Sequence, residues 1–295
     1  MHKIVAFLRA YFQGIVMKRI VVGAILAAGL TQFLAAPAQA APRTDPVKAL
    51  RATLTPGKSV NIVSTAKVDS GRGISYTLDM DGMVGFGPEG EIASDTSQSL
   101  QYSKTVMSGL KEFDMAEDAA LEELPLRVIS SGHDDYVSGP RFADVLPQGT
   151  NWVRYMFTDL PASNPLLDVL ETTTLKALLA HRTSGRGGVV KGTIKADKLV
   201  EVSRSFASHF RGYSTSKPVS TISYTLHLSS AGLVERVTAI GVLRHWKGSV
   251  LRVEADTRYS AWGRQATVAL PLKGEVLDQK QLEGKVPYQV PGAWN

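Results

Sequence analysis

The sequence predicts an α+β fold in which one large antiparallel sheet carries a layer of short helices on one face. Three observations predict it. Apolar and polar residues alternate in run after run, as a half-buried antiparallel strand requires. In "ISYTLDM", Ile74, Tyr76, Leu78 and Met80 oppose Ser75, Thr77 and Asp79. Stretches with helical spacing are short and bounded by capping or breaking residues. No internal repeat or linker divides the chain, so the strands share one sheet and the helices cover it. A sheet of that width twists and curls, with its charged face convex and wet.

The chain has 295 residues, and its first 40 read as an export signal. They hold Lys3, Arg9, Lys18 and Arg19 and no acid, then "IVVGAILAAGL" and the small-residue site "AQA". Cleavage is expected after Ala40. Met17 begins a more compact signal, so the translation start is Met1 or Met17. Removing the signal leaves 255 residues and lowers the formal net charge from +6 to +2. No basic block remains to suggest nucleic acid. The chain contains no cysteine. That excludes disulfides, thiolate metal sites and an acylated N-terminal cysteine, hence a covalent membrane anchor of that kind. The expected location is outside the cytoplasm, secreted or in the cell envelope.

The mature chain opens with a short helix in "TDPVKALRATLTPG". Thr44 or Asp45 caps it, and Val47, Leu50 and Leu54 lie on one face. "SVNIVSTAKV" and "ISYTLDM" follow as strands, the second continuing past Gly82 to Val84 and Phe86, and "SQSLQYSK" is a third. Residues 105–124 carry six acids among irregularly spaced apolar residues and read as a loosely helical, exposed insertion. "PLRVISSGHDDYVSG" is strand, turn, strand, and "NWVRYMF" is another strand.

The most apolar stretch is "NPLLDVLETTTLKALL". Leu166, Leu167 and Leu170 share one helical face; Leu175, Leu178 and Leu179 share another, rotated by roughly 120°. Two short helices with a break at Thr172–Thr174 are expected, capped by Asn164 and by a threonine. "SGRGG" ends the pair as a loop. "VVKGTIKA" is a strand. "DKLVEVSRSFASHF" is one helix capped by Asp197, with the stripe Leu199, Val202, Phe206 and Phe210. "VSTISYTLHLS", "LVERVTAIGVLRH" and "SVLRVEADTRYSAW" are three long strands, and "QATVALP" is a last one. The domain is expected over 41–272, with 273–295 as a loosely held tail.

Catalytic constellations are lacking. Ser64…Lys67 and Ser214…Lys217 have serine–lysine spacing, but one pair falls in a strand and the other in a polar turn, with no companion motif. The five mature histidines are scattered without ligand spacing, and "GHDD" reads as a hairpin turn. Neither a catalytic residue, a metal nor a cofactor is expected.

"DDYVSGP" before "NWV", the "NPLLDVL…LKALL" pair, "SAGLVERV" and "YSAWG…VALP" together resemble secreted actinobacterial proteins similar to the mycobacterial lipoprotein carriers of the LprG and LppX type, and more distantly LolA. The resemblance spans about Lys58 to Leu272. It implies a curved antiparallel half-barrel with helices on its concave side, and acylated lipid bound between them. The chain departs from many relatives in lacking a lipidated cysteine.

Two readings follow. In the first, the protein is a non-enzymatic, monomeric binder of a lipid or acylated molecule, with a cell-envelope partner for delivery. Its cavity would be lined by Leu166, Leu167, Leu170, Leu175, Leu178 and Leu179 from the helices and by Ile222, Tyr224, Leu226 and Val253 from the sheet. In the second, the same residues fill the core of an interaction or sensor module. Burying about ten methylenes of an acyl chain is worth roughly 8 kcal/mol before ordering costs, enough to sustain the first.

Overall fold

The computed structural model describes residues 44–290 except 72, 88–89, 157, 159–161, 215–217, 246 and 283. The export signal, Lys217 and residues 291–295 lie outside the described residues.

Twelve strands form one open sheet: β1 Lys58–Asp69, β2 Ser75–Gly87, β3 Gly90–Tyr102, β4 Leu126–Ser131, β5 Asp134–Ser138, β6 Trp152–Met156, β7 Arg182–Arg186, β8 Val189–Lys195, β9 Thr221–Leu228, β10 Val234–Arg244, β11 Val250–Gln265 and β12 Val276–Asp278. Their spatial order is β12-β6-β5-β4-β3-β2-β1-β11-β10-β9-β8-β7. The first six strands march outward by antiparallel neighbours. The next five march back, so that the sixteen-residue β11 closes against β1. The sheet is mixed, because β12 pairs parallel with β6. It ends in two free edges and does not close into a barrel.

Alternation decides which way each strand faces. Val253, Ala255, Thr257 and Tyr259 of β11 are buried. Between them lie Arg252, Glu254, Asp256 and Arg258 on the other face, where Arg252 bonds Glu254 at 2.6 Å and Arg236 bonds Asp256. That charged face keeps the sheet wet on one side.

The described helices are α1 Pro46–Thr53, α2 Lys104–Glu112, α3 Ala116–Glu123, α4 Thr172–Ala180, α5 Ala196–Val202 and α6 Arg204–Ser214. Asp45 caps α1 by accepting from Val47 N at 2.9 Å, with Pro46 in the first turn. Leu50 and Leu54 of this entry to the fold reach the main core.

Four expectations need correction. No helix forms at 164–170: Asn164 Oδ1 makes the two cap bonds of a helix start, but Asp168 Oδ1 takes Leu170 N, the donor that would have continued it. The expected single helix after Asp197 is two, α5 and α6. Ser203 sits at the break with an extended backbone, and its Oγ accepts from Phe206 N at 3.1 Å to start the second. "SGRGG" supplies the end of β7 and the hairpin turn into β8. β11 runs on to Gln265, and 266–272 is not a strand.

Two further segments are better anchored than their composition suggests. Residues 105–124 hold α2 and α3, which bury Val106, Leu110 and Ala119 in a cluster of their own beside Tyr102. Glu122 accepts from Tyr102 Oη at 2.6 Å, and Glu123 from Tyr102 N at 2.7 Å. The tail contributes β12 and buries Leu282, Val286 and Val290 against Leu126, Val128, Val137 and Val153.

Candidate functional site

All ten residues expected to line a ligand space converge. Leu166, Leu167, Leu170, Leu175, Leu178, Ile222, Tyr224, Leu226 and Val253 belong to one buried cluster, and Leu179 packs on it half-exposed. The local chemistry explains how they arrive. Asn164 Oδ1 accepts from the N–H groups of Leu166 and Leu167 at 3.0 and 2.9 Å, and Asp168 Oδ1 accepts from Leu170 N at 3.0 Å. These turns pin the backbone with Leu166, Leu167 and Leu170 all buried. α4 then supplies Leu175 and Leu178 from one face.

Two glycines set the approach of cover to sheet. Beyond Gly192 of β8, any Cβ would collide with the Tyr224 hydroxyl and the His181 carbonyl. The space lets Tyr224 Oη donate to the Leu178 carbonyl. Burial pushes the Tyr224 phenol up to about 12, so it stays a donor. At Gly241 of β10, Leu166 Cδ1 lies 3.6 Å from where a Cβ would stand.

The site is closed in this structure. Leu167, Leu178, Ile222, Leu226 and Val253 are 0 % exposed, and Leu170 is 2 % exposed. A cavity wide enough for an acyl chain would expose its own walls to a water-sized sphere; these walls touch one another instead. Phe86, Phe206, Phe210, Val60, Ile62 and Leu199 complete the packing. The alternation and helix stripes contained all of these, but only three-dimensional pairing ranks them with the leucines.

Beside the leucines lies a polar group that sequence reasoning passed over. Asp168 is 3 % exposed and accepts from Ser163 Oγ at 2.8 Å and Ser163 N at 3.2 Å. Ser163 Oγ also bonds Tyr259 Oη at 2.9 Å. Asn164 Nδ2 donates to Thr257 Oγ1 at 3.0 Å, which bonds Ser64 Oγ at 2.7 Å. Burial first, then the Glu171 charge, pushes the Asp168 carboxyl up to about 7. Burial, with the charges of Asp168 and Glu171 and a hydrogen bond to Asp168, holds Glu91 well above the usual carboxylate range. The signal was present: Asp168 is the one acid between Asn164 and Leu170.

The rejected motifs stay apart from chemistry. Ser64 is buried on the inner face, whereas Lys67, three residues on, is exposed on the other. Gly132 turns the β4–β5 hairpin with φ 65°. Among the described residues, no group of three or more His, Asp or Glu could hold a metal ion. Two surface grooves, of about 350 and 590 Å³, are lined by none of the ten residues. Among the described residues, no helix is long and apolar enough to cross a membrane.

No protein family matches the chain, and no curated protein is similar in sequence. Among solved structures, it is similar to a LolA-superfamily protein from Nitrosomonas europaea, at 8% identity and a TM-score of 0.24, covering 72% of this chain and 91% of that one. A putative AttH from the same organism gives 8% identity and 0.17, covering 71% and 52%. GphF dehydratase 1 gives 13% and 0.14, covering 74% and 82%. At such scores the likeness carries no argument about function, and the architecture rests on the strand pairing itself.

Proposed function

We propose that the protein is an exported, non-enzymatic binder of a lipid or other acylated molecule, taken up between the sheet and its cover. In the ligand-free state the apolar walls close on one another. The observation that carries the reading is the construction of the cover. An apolar face running from β8 to β2 is roofed by the segment 162–171 and by α4, α5 and α6, of nine, seven and eleven residues. These pieces meet the strands mainly through side chains, with few polar ties: Ser163 and Asn164 to β11, Tyr224 to Leu178, and Ala196 N, where the chain leaves β8, to the Ser220 carbonyl. A roof of this kind can lift without breaking a strand ladder. The walls it would uncover are apolar enough to hold an acyl chain.

A second reading is favoured by the tightness of the closed core: an interaction module whose leucines are structural. Native mass spectrometry with solvent extraction of the exported protein separates the two. Co-purified acyl lipid, displaced by a fluorescent fatty acid, supports the carrier. A protein empty after export that takes up no acyl probe supports the filled scaffold.

A further inference from the structure

We infer that the wet face of the sheet from β7 to β10 docks on an anionic lipid surface. The docking is independent of whether the core takes up a ligand.

The hairpin β7–β8 carries the signal. From Arg182 to Lys195 it holds four cations, Arg182, Arg186, Lys191 and Lys195, and no acid. Outside it, residues 41–295 are acidic on balance. The register decides where these side chains point. Val190, Gly192 and Ile194 of β8 are buried, so Lys191, Thr193 and Lys195 face outward. Arg186 is opposite Val189, and Ser184 opposite Lys191, on that same outer face. Arg182 is opposite Gly192 instead and donates to the Leu179 carbonyl of the cover at 3.1 Å. In β9 and β10 the outward positions include Thr221, Ser223, Thr225, Thr238 and Arg244. Ile240 stands among them, 45 % exposed, in a row with Ser223 and Thr193.

The cations of this face are unpaired. Elsewhere on the strands Arg127, Arg154, Arg236 and Arg252 each hold a carboxylate. Among the described residues, Arg186, Lys191, Lys195 and Arg244 hold none. The one acid on the four strands is Glu235, in the bulge that opens β10. Beside the face, Asp197 accepts from Lys198 N, and Glu201 pairs with Lys198 Nζ. Charges on an edge strand guard it against stray pairing. That does not account for Lys195 and Arg244, which stand one and three strands inside the edge.

The character of the face selects its partner. A specific protein interface is built around aromatic or arginine anchors seated in pockets. Here the outward positions hold small hydroxyl side chains and no Phe, Tyr or Trp. The cations spread over four strands, about 14 Å across. A peptide added at the edge would miss Lys195 and Arg244, whereas a charged surface meets all four. Each cation brought to an anionic bilayer strengthens binding roughly fivefold.

Partition of the full exported chain onto vesicles tests the inference. Vesicles of phosphatidylcholine with phosphatidylglycerol are compared with vesicles of phosphatidylcholine alone, at low and raised salt. Binding should need the anionic lipid and be lost as salt rises. Arg186→Gln, Lys191→Gln and Lys195→Gln together should weaken it roughly hundredfold. Lys104→Gln, Lys111→Gln and Lys280→Gln make the same charge change on exposed side chains elsewhere; they should alter binding less than about threefold. Equal binding to both vesicles, or none to either, overturns the docking, as does an equal loss in the two variants. Capture by soluble polyglutamate without uptake on vesicles also overturns it and makes the face a site for acidic protein. If the hairpin variant does not fold, its three single substitutions decide. Each should lose about fivefold, and losses all below about twofold overturn the docking.

Discussion

One face of one sheet holds two unlike regions. From β8 to β2 it presents Ile194, Ile222, Tyr224, Leu226, Val237, Leu243, Val253, Ile62 and Phe86, and the segment 162–171 with α4, α5 and α6 packs above them. From β3 to β6 a row of polar residues crosses the same face. Ser94 pairs with Ser130, Ser130 with Asp135, and Asp135 with Tyr155, all buried. Among the described residues, the hydroxyls of Ser94, Ser130 and Tyr155 have no hydrogen-bond partner. Small apolar clusters, one roofed by Phe142 and the tail and one made by α2 and α3 beside Tyr102, continue the core on this side. Burial on the first side adds stability with nearly every side chain, whereas on the second part of it is spent on unpaired hydroxyls. The molecule therefore has a strong half and a weak half joined through β2 and β3.

The comparison can be broken most directly at the tail. Deleting 276–295 removes β12 and three buried side chains, with an expected loss of roughly 5 kcal/mol by urea unfolding; an unchanged midpoint would mean that the second cluster contributes nothing. Leu178→Ala in the strong half should cost about 4 kcal/mol and Leu282→Ala in the weak half about 2, because the tighter site collapses less around the cavity. Equal losses would erase the distinction. Tyr102→Phe removes the bond to Glu122 and should cost roughly 1.5 kcal/mol, with faster exchange in α2 and α3. The smallest effect is the most diagnostic: Ser94→Ala should be neutral or stabilising by up to about 1 kcal/mol, since the hydroxyl it removes has no partner.

Much of this was legible in the sequence, for stateable reasons. Period-two alternation marks a strand wherever one face is wet, and the charged positions 252, 254, 256 and 258 placed β11 correctly. The ten candidate residues did come together. What stayed hidden depends on competition for backbone donors or on distant pairing. Leucine spacing at 166–170 suggests a helix, and Asn164 makes the cap bonds of one, but Asp168 claims the Leu170 N–H that would have continued it. Ser203 breaks a plausible long helix in the same way. The tail looks unstructured because Leu282, Val286 and Val290 acquire meaning only beside β4, β5 and β6. The bond of Ser163 to Tyr259 joins residues 96 positions apart, beyond any local pattern.

The central claim is that the apolar cover lifts as a unit while the sheet beneath it stays intact. Native-state hydrogen exchange of the wild-type protein tests it most directly, comparing the amides of 175–181 in the cover with those of Ile222–Leu228 in β9. The account predicts that the cover exchanges through a local opening well below the free energy of global unfolding, and that a bound fatty acid slows it while leaving β9 unchanged. Cover and β9 exchanging together, only through global unfolding and without response to fatty acid, would contradict it.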